Sequence, residues 1–91
     1  MKLIFRLHAV ERMFERKITY GDVNKILIEG KVIEEYKHDQ PYPSKLILGF
    51  VKKRPIHIVV AENIGEDQTI IITVYEPDKS RWDEKFERRI I

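Results

Sequence analysis

Between Val32 and Tyr75 lie four strand-like runs, at 32–37, 46–51, 56–61 and 69–75. The connections between them are Asp39-Gln40-Pro41-Tyr42-Pro43-Ser44, Lys52-Lys53-Arg54-Pro55 and Asn63-Ile64-Gly65-Glu66-Asp67-Gln68. None is long enough to hold a crossover helix, so consecutive runs must pair as antiparallel hairpins. The last three runs are apolar on both faces, as in strands covered on both sides of a sheet.

What precedes the hairpins reads as a short strand and two helices. Residues 2–6 alternate polar and apolar. Residues 8–16 follow helical spacing, with Ala9, Val10, Met13 and Phe14 as one apolar stripe. The second helix carries the best local signals. Thr19 is a natural N-cap with Asp22 three residues on, Ile18 and Val23 are placed as a hydrophobic staple, and Val23, Ile26 and Leu27 give the buried face. Gly30 is expected to end this helix in a left-handed cap. Pro77 stops the last run. Beyond it Ser80 is positioned to cap a turn in which Trp82 and Phe86 lie one helical turn apart. The expected fold is one α+β domain over residues 1–91. Two N-terminal helices pack on an antiparallel four- to five-stranded β-meander, closed by a short C-terminal helical segment. Two helices cover one face only. A face carrying Ile47, Val59 and Ile71 would then need a partner or a second copy of the chain to shield it.

Composition narrows the class of function. With 43% hydrophobic and 35% charged residues, the 91-residue chain is globular rather than disordered. It has no cysteine, which removes disulfides, cysteine nucleophiles and thiolate zinc sites. No apolar run approaches the roughly 18 residues a membrane span needs, and residues 1–7 are too short and too charged for a signal peptide, so a cytoplasmic protein is expected. The net charge of +2 does not by itself argue for nucleic acid. Its distribution is uneven: all 17 lysines and arginines lie outside residues 55–78.

Several groups are candidates for chemistry. On the first helix His8, Arg12 and Arg16 sit four apart on one edge, with Glu11 and Glu15 on another. Such a row is either a phosphate site or a solvated charged face paired with carboxylates such as Glu34 or Glu35, and charge rows are usually the latter. His57 stands in an otherwise apolar strand, where a lone histidine is more often a satisfied buried group than a catalyst. Strict alternation along the last run puts Thr69, Ile71, Thr73 and Tyr75 on one face and Ile70, Ile72 and Val74 on the core face. Thr73 and Tyr75 then line a groove or merely reflect strand propensity. Trp82 with Arg81, Lys85, Arg88 and Arg89 makes a basic aromatic tail, which suits RNA contact and equally suits a helix with Trp82 and Phe86 in the core. His8, His38 and His57 lack metal-ligand spacing, and no glycine-rich phosphate loop or Gly-x-Ser-x-Gly is present.

Taken together, several segments resemble a known family. They are His8-Ala9-x-x-Arg12-Met13-x-x-Arg16-x-Ile18, Tyr42-Pro43-Ser44, Leu48-Gly49, Pro55-Ile56-His57-Ile58-Val59-Val60 and Ile71-Ile72-Thr73-Val74-Tyr75-x-Pro77. The family consists of small bacterial and archaeal domains of unknown function, often encoded beside zinc-ribbon antitoxins of the MqsA (YgiT) type. The resemblance implies the toxin of a type II toxin–antitoxin pair, similar in fold to the RelE and MqsR ribonuclease toxins. The partners it implies are RNA and a zinc-ribbon antitoxin, with a homodimer as a further expectation and no membrane.

A metal-independent endoribonuclease needs a base for the 2′-hydroxyl, cations for the phosphate and an acid for the leaving oxygen. His8 or His57 suits the base and acid roles, Arg12 and Arg16 the phosphate, and Tyr75 a stacked base or a donated hydrogen bond. Thr73 and Arg81 are further candidate RNA contacts. No cofactor or metal is expected. The alternative is a non-catalytic interaction module that uses the exposed sheet face. Convergence of His8, Arg12 and His57 on one concave surface separates the two.

Overall fold

The computed structural model describes residues 2–91. Its elements run β1 (Lys2–Phe5), α1 (Leu7–Arg16), α2 (Tyr20–Glu29), β2 (Lys31–Tyr36), β3 (Ser44–Val51), β4 (Arg54–Asn63), a 3-10 turn (Ile64–Glu66) and β5 (Gln68–Tyr75). The five strands form one sheet in the order β1-β5-β4-β3-β2. The hairpins β2–β3, β3–β4 and β4–β5 are antiparallel, as their short connections demand. The sheet is nevertheless mixed and not a pure antiparallel meander, because β1 pairs with β5 in parallel, Leu3 opposite Thr69 and Phe5 opposite Ile71. The two helices between β1 and β2 let the first strand return to the far edge in that direction.

Local chemistry sets the helix ends. Thr19 Oγ1 accepts from the Asp22 amide at 3.0 Å while the Asp22 carboxylate accepts from the Thr19 amide at 2.9 Å, a complete capping box. Lys17, in the left-handed conformation, ends α1. Gly30 departs from expectation, since its backbone is extended. Glycine is needed there for space. A Cβ would lie 2.5 Å from the Ile26 carbonyl oxygen and 2.7 Å from that of Leu48.

The core lies between the helices and one sheet face. α1 packs on β5 and α2 on β3. Ala9, Val23 and Ile26 meet Ile47, Ile56, Ile58, Val60, Ile71 and Val74. Two sequence expectations fail here. On α1 only Ala9 and, in part, Met13 turn inward, whereas Val10 is 47% and Phe14 87% exposed, together with Leu7 at 74%. The helix is long enough to cover β5 with a narrow stripe only, and its remaining apolar residues are left on the surface. The other failure concerns β5. Val59 pairs with Thr73 but Val60 with Ile71, so Ile72 is the extra residue of a β-bulge. The bulge resets the alternation. Ile71 and Val74 both face the helices, while Ile72, Thr73 and Tyr75 face the other way. Ile47 and Ile71 are therefore covered by the helices, and no single open face joins them to Val59.

The second face is shielded by the chain's own C-terminal segment, which is strand-like and not helical. Trp82 and Arg89 form an antiparallel bridge, closed by Asp83 N–H to Arg88 O at 2.9 Å and Ile90 N–H to Arg81 O at 2.9 Å. The Asp83 carboxylate accepts from the amides of Lys85, Glu87 and Arg88, and Phe86 takes φ 60°. An aspartate that gathers the amides ahead of it competes with the helix ladder and bends the chain into a tight loop. Among the described residues no helix is long and apolar enough to cross a membrane.

Candidate active site

On the face away from the helices, Tyr75, Thr73 and Ile72 follow one another along β5, with His57, Val59 and Ala61 beside them on β4, then Leu48, Leu46 and Ser44 on β3, and Glu34 and Tyr36 on β2. The C-terminal segment sits over the Tyr75–His57 end of this surface. The loop 39–43 and the start of α1 border the other end.

His57 is fully buried. Its Nε2 lies 2.8 Å from the Phe86 carbonyl oxygen, which can only accept, so Nε2 carries the proton. Nδ1 is then the acceptor, and the Tyr75 hydroxyl donates to it at 3.2 Å. Trp82 meets the imidazole edge-on with ring centroids 4.4 Å apart. Burial lowers the His57 pKa below the ordinary histidine value, against the opposing pull of the Phe86 carbonyl and the Glu34 charge. Burial likewise raises Tyr75 above the ordinary phenol. At neutral pH both groups are therefore uncharged, a phenol proton facing the lone pair of the imidazole Nδ1.

Beside this pair lies a charged cluster. Arg89 donates from Nε to Glu34 at 3.0 Å and from Nη2 to the other carboxylate oxygen at 3.2 Å, and its guanidinium stands 4.8 Å from the Trp82 ring centre. Tyr36 also donates its hydroxyl to Glu34. Partial burial pushes Glu34 up, but the hydrogen bonds from Tyr36 and Arg89 outweigh it and hold its carboxyl below the usual range. The carboxylate expected to pair with α1 thus pairs with the C-terminal segment.

At the other end of the face, a cavity of about 340 Å³ opens between the loop 39–43 and the start of α1, with Arg6, His8 and Tyr42 in its wall and Ala61 and Ile72 in its floor. The amide of Arg6 donates to Ile71 O at 3.0 Å, which fixes the start of α1 against β5. From Ile72 to Tyr75 is three residues, on the order of 10 Å at the usual strand rise. His8 and the Tyr75–His57 pair therefore share one surface.

The other candidates lie elsewhere, so His8, Arg12 and His57 do not converge on one concave surface. Arg12 turns to Glu15, Nη1 to Oε2 at 2.9 Å, on the exposed side of α1. Arg16 is exposed, and its backbone carbonyl accepts from Arg54 Nη2 at 2.6 Å. Thr73 is half-buried on the groove floor beside Tyr75. Arg81 is exposed, with its backbone in the C-terminal turn and its charge near Asp78. Among the described residues no group of three or more His, Cys, Asp or Glu side chains is placed to hold a metal ion. Sequence reasoning passed over Arg6 and Tyr42 in the cavity wall, and it gave Arg89 no specific partner. The one available signal for the last was Glu34 and Tyr36 two apart on a strand, presenting an acid and a phenol on the same face.

A family model described as a domain of unknown function (DUF4258) matches residues 5–76. No curated protein matches the chain, and no solved structure does.

Proposed function

The chain belongs to the DUF4258 family, and we propose that it is a metal-independent endoribonuclease, the toxin of a type II toxin–antitoxin pair with a fold of the RelE and MqsR kind. The observation that carries this reading is the relay Tyr75–His57–Phe86, in which a half-buried phenol at the groove edge is hydrogen-bonded to a neutral, buried imidazole. A phenol is a poor base by itself. With Nδ1 of His57 behind it, it accepts the proton of an RNA 2′-hydroxyl while passing its own proton to the imidazole. The Phe86 carbonyl and the Glu34 carboxylate favour the imidazolium that results.

The 2′-oxygen then attacks phosphorus, and the 5′-oxygen leaves with a proton donated by His8. The products are a 2′,3′-cyclic phosphate and a 5′-hydroxyl. Arg6, beside His8, and the Thr73 hydroxyl stabilise the charge on the phosphate. Arg12 and Arg16 extend the basic edge of α1 away from His8 and guide the RNA backbone. His57, fully buried, touches no substrate in this reading and acts through Tyr75.

The test is incubation of the purified chain with RNA in the presence of a chelator. Fragments ending in 2′,3′-cyclic phosphate are expected, and Tyr75→Phe should lose them. Intact RNA, or unchanged cleavage by Tyr75→Phe, would remove the reading. The antitoxin that the resemblance implies has a surface open to it in the apolar stripe Leu7, Val10 and Phe14 of α1.

A further inference from the structure

We infer that the cavity beside His8 is a nucleobase pocket, which holds one unstacked base of a single-stranded RNA next to the phosphate to be cleaved. The inference rests on the ribonuclease reading for its substrate and on the cavity for its chemistry. At about 340 Å³ the cavity lies at the small end of the range of roughly 300–1,000 Å³ that small-molecule sites occupy.

Its walls are preformed. The Tyr42 hydroxyl accepts from Asn63 Nδ2 at 2.9 Å, which holds the ring, and Ser44 Oγ donates to the Asp39 carboxylate at 2.5 Å, which holds the loop. The floor is apolar, formed by Ala61 and by Ile72, the residue the β-bulge adds to this face. An aromatic ring over an apolar floor suits the flat face of a base, and such stacking is worth about 1–3 kcal/mol per base. Of the polar groups that line it, Ser44 and the Asp39 carboxylate are bonded to each other. Gln40 offers a donor and an acceptor, the pairing that a base edge requires, and Arg6 and His8 supply cationic groups for a phosphate attached to that base. An isolated anion would use only Arg6 and His8 and leave the ring and the apolar floor without a partner. A base in a duplex is stacked on both faces and cannot enter such a slot, so the substrate is single-stranded at this position.

The experiment is an NMR titration of the full chain with the four 3′-nucleoside monophosphates and, separately, with inorganic phosphate. It is paired with cleavage of single-stranded and duplex RNA by the parent, Tyr42→Phe and Tyr42→Ala. At least one nucleotide should shift the amides of residues 39–44, Ala61 and Ile72 and bind at least tenfold more tightly than phosphate. Tyr42→Ala should weaken that binding about tenfold or more, and Tyr42→Phe, which keeps the ring, should retain most of it. Duplex RNA should resist cleavage. Absence of nucleotide shifts at these residues, or phosphate binding as tight as the best nucleotide, overturns the pocket. If the parent cleaves RNA and Tyr42→Ala yields the same products at the same rate, the pocket fails while the ribonuclease reading survives. If nucleotides bind as described and no RNA is cut, the pocket stands and the ribonuclease reading fails.

Discussion

The hydroxyl of Tyr75 donates to Nδ1 of His57 at 3.2 Å because the other imidazole nitrogen is committed to the Phe86 carbonyl oxygen at 2.8 Å. A residue at the end of β5 and the C-terminal segment together fix the tautomer of a buried histidine. In the proposed reaction, Tyr75→Phe removes the proton-handling atom and keeps the ring. RNA cleavage should fall by about 10²–10⁴-fold, the usual contribution of a positioned base, with the circular dichroism spectrum unchanged. His57→Phe should lower cleavage as well, but Trp82 and Phe86 would also lose their partner, so only the Tyr75 variant reads the chemistry alone.

Stability should depend on pH through His57. Its pKa is lowered in the folded state from a reference of 6.5. Between the folded and unfolded values the unfolded chain binds more protons, so stability rises with pH across that window. The contribution is complete above about pH 6.5 and is lost as the pH falls from there through the folded value. Thermal melting in that range should show a falling midpoint, and His57→Gln should flatten that dependence. A parent whose midpoint rises on acidification below pH 6.5 would contradict the buried neutral imidazole.

Arg89→Ala removes both hydrogen bonds to Glu34 and the cation over Trp82. The pair is partly exposed, so the loss of stability should be modest, roughly 1 kcal/mol or less. The local effect should be larger than the global one. Trp82 is the only tryptophan, and its emission should shift to the red as the C-terminal segment loosens. An unshifted spectrum would mean that the segment is held by Trp82 and Phe86 alone.

Gly49→Ala should be destabilising. The added Cβ would lie 2.6 Å from both Cγ atoms of Ile26, which is buried where α2 packs on β3. Overpacking of this kind costs about 1–3 kcal/mol. Gly21→Ala is the control: the nearest atom to its Cβ is 3.7 Å away, and alanine favours the helix by up to about 1 kcal/mol. Urea unfolding midpoints should move in opposite directions.

The exposed stripe on α1 makes the partner testable. Phe14→Ser should leave stability within about 0.5 kcal/mol of the parent, since the side chain is 87% exposed. If a zinc-ribbon antitoxin of the kind proposed is co-expressed and binds α1, the same change should weaken co-purification at least tenfold. Retention at the parent level would place that partner on another surface.

How much of this was legible in advance differs element by element. The capping box at Thr19 and Asp22 and the three hairpins depend on residues a few positions apart, and there sequence alone determined the outcome: a short connection permits only antiparallel neighbours, and a hydroxyl three residues before a free amide caps it. Thr73 and Tyr75 were placed on the correct face, but the faces of Thr69, Ile70, Ile71 and Ile72 were exchanged, because a bulge is set by how β5 fits β4 and leaves no local mark. The parallel pairing of β1 with β5, the Trp82–Arg89 turn over the second face and the approach of His8 to Ile72 were decided by tertiary structure alone. The strand pairing and the approach of His8 join segments far apart in the chain; the Trp82–Arg89 turn is itself local, but its docking on β4 is long-range and follows from one need, that a buried imidazole be covered and its hydrogen bonds met from wherever the chain can supply them.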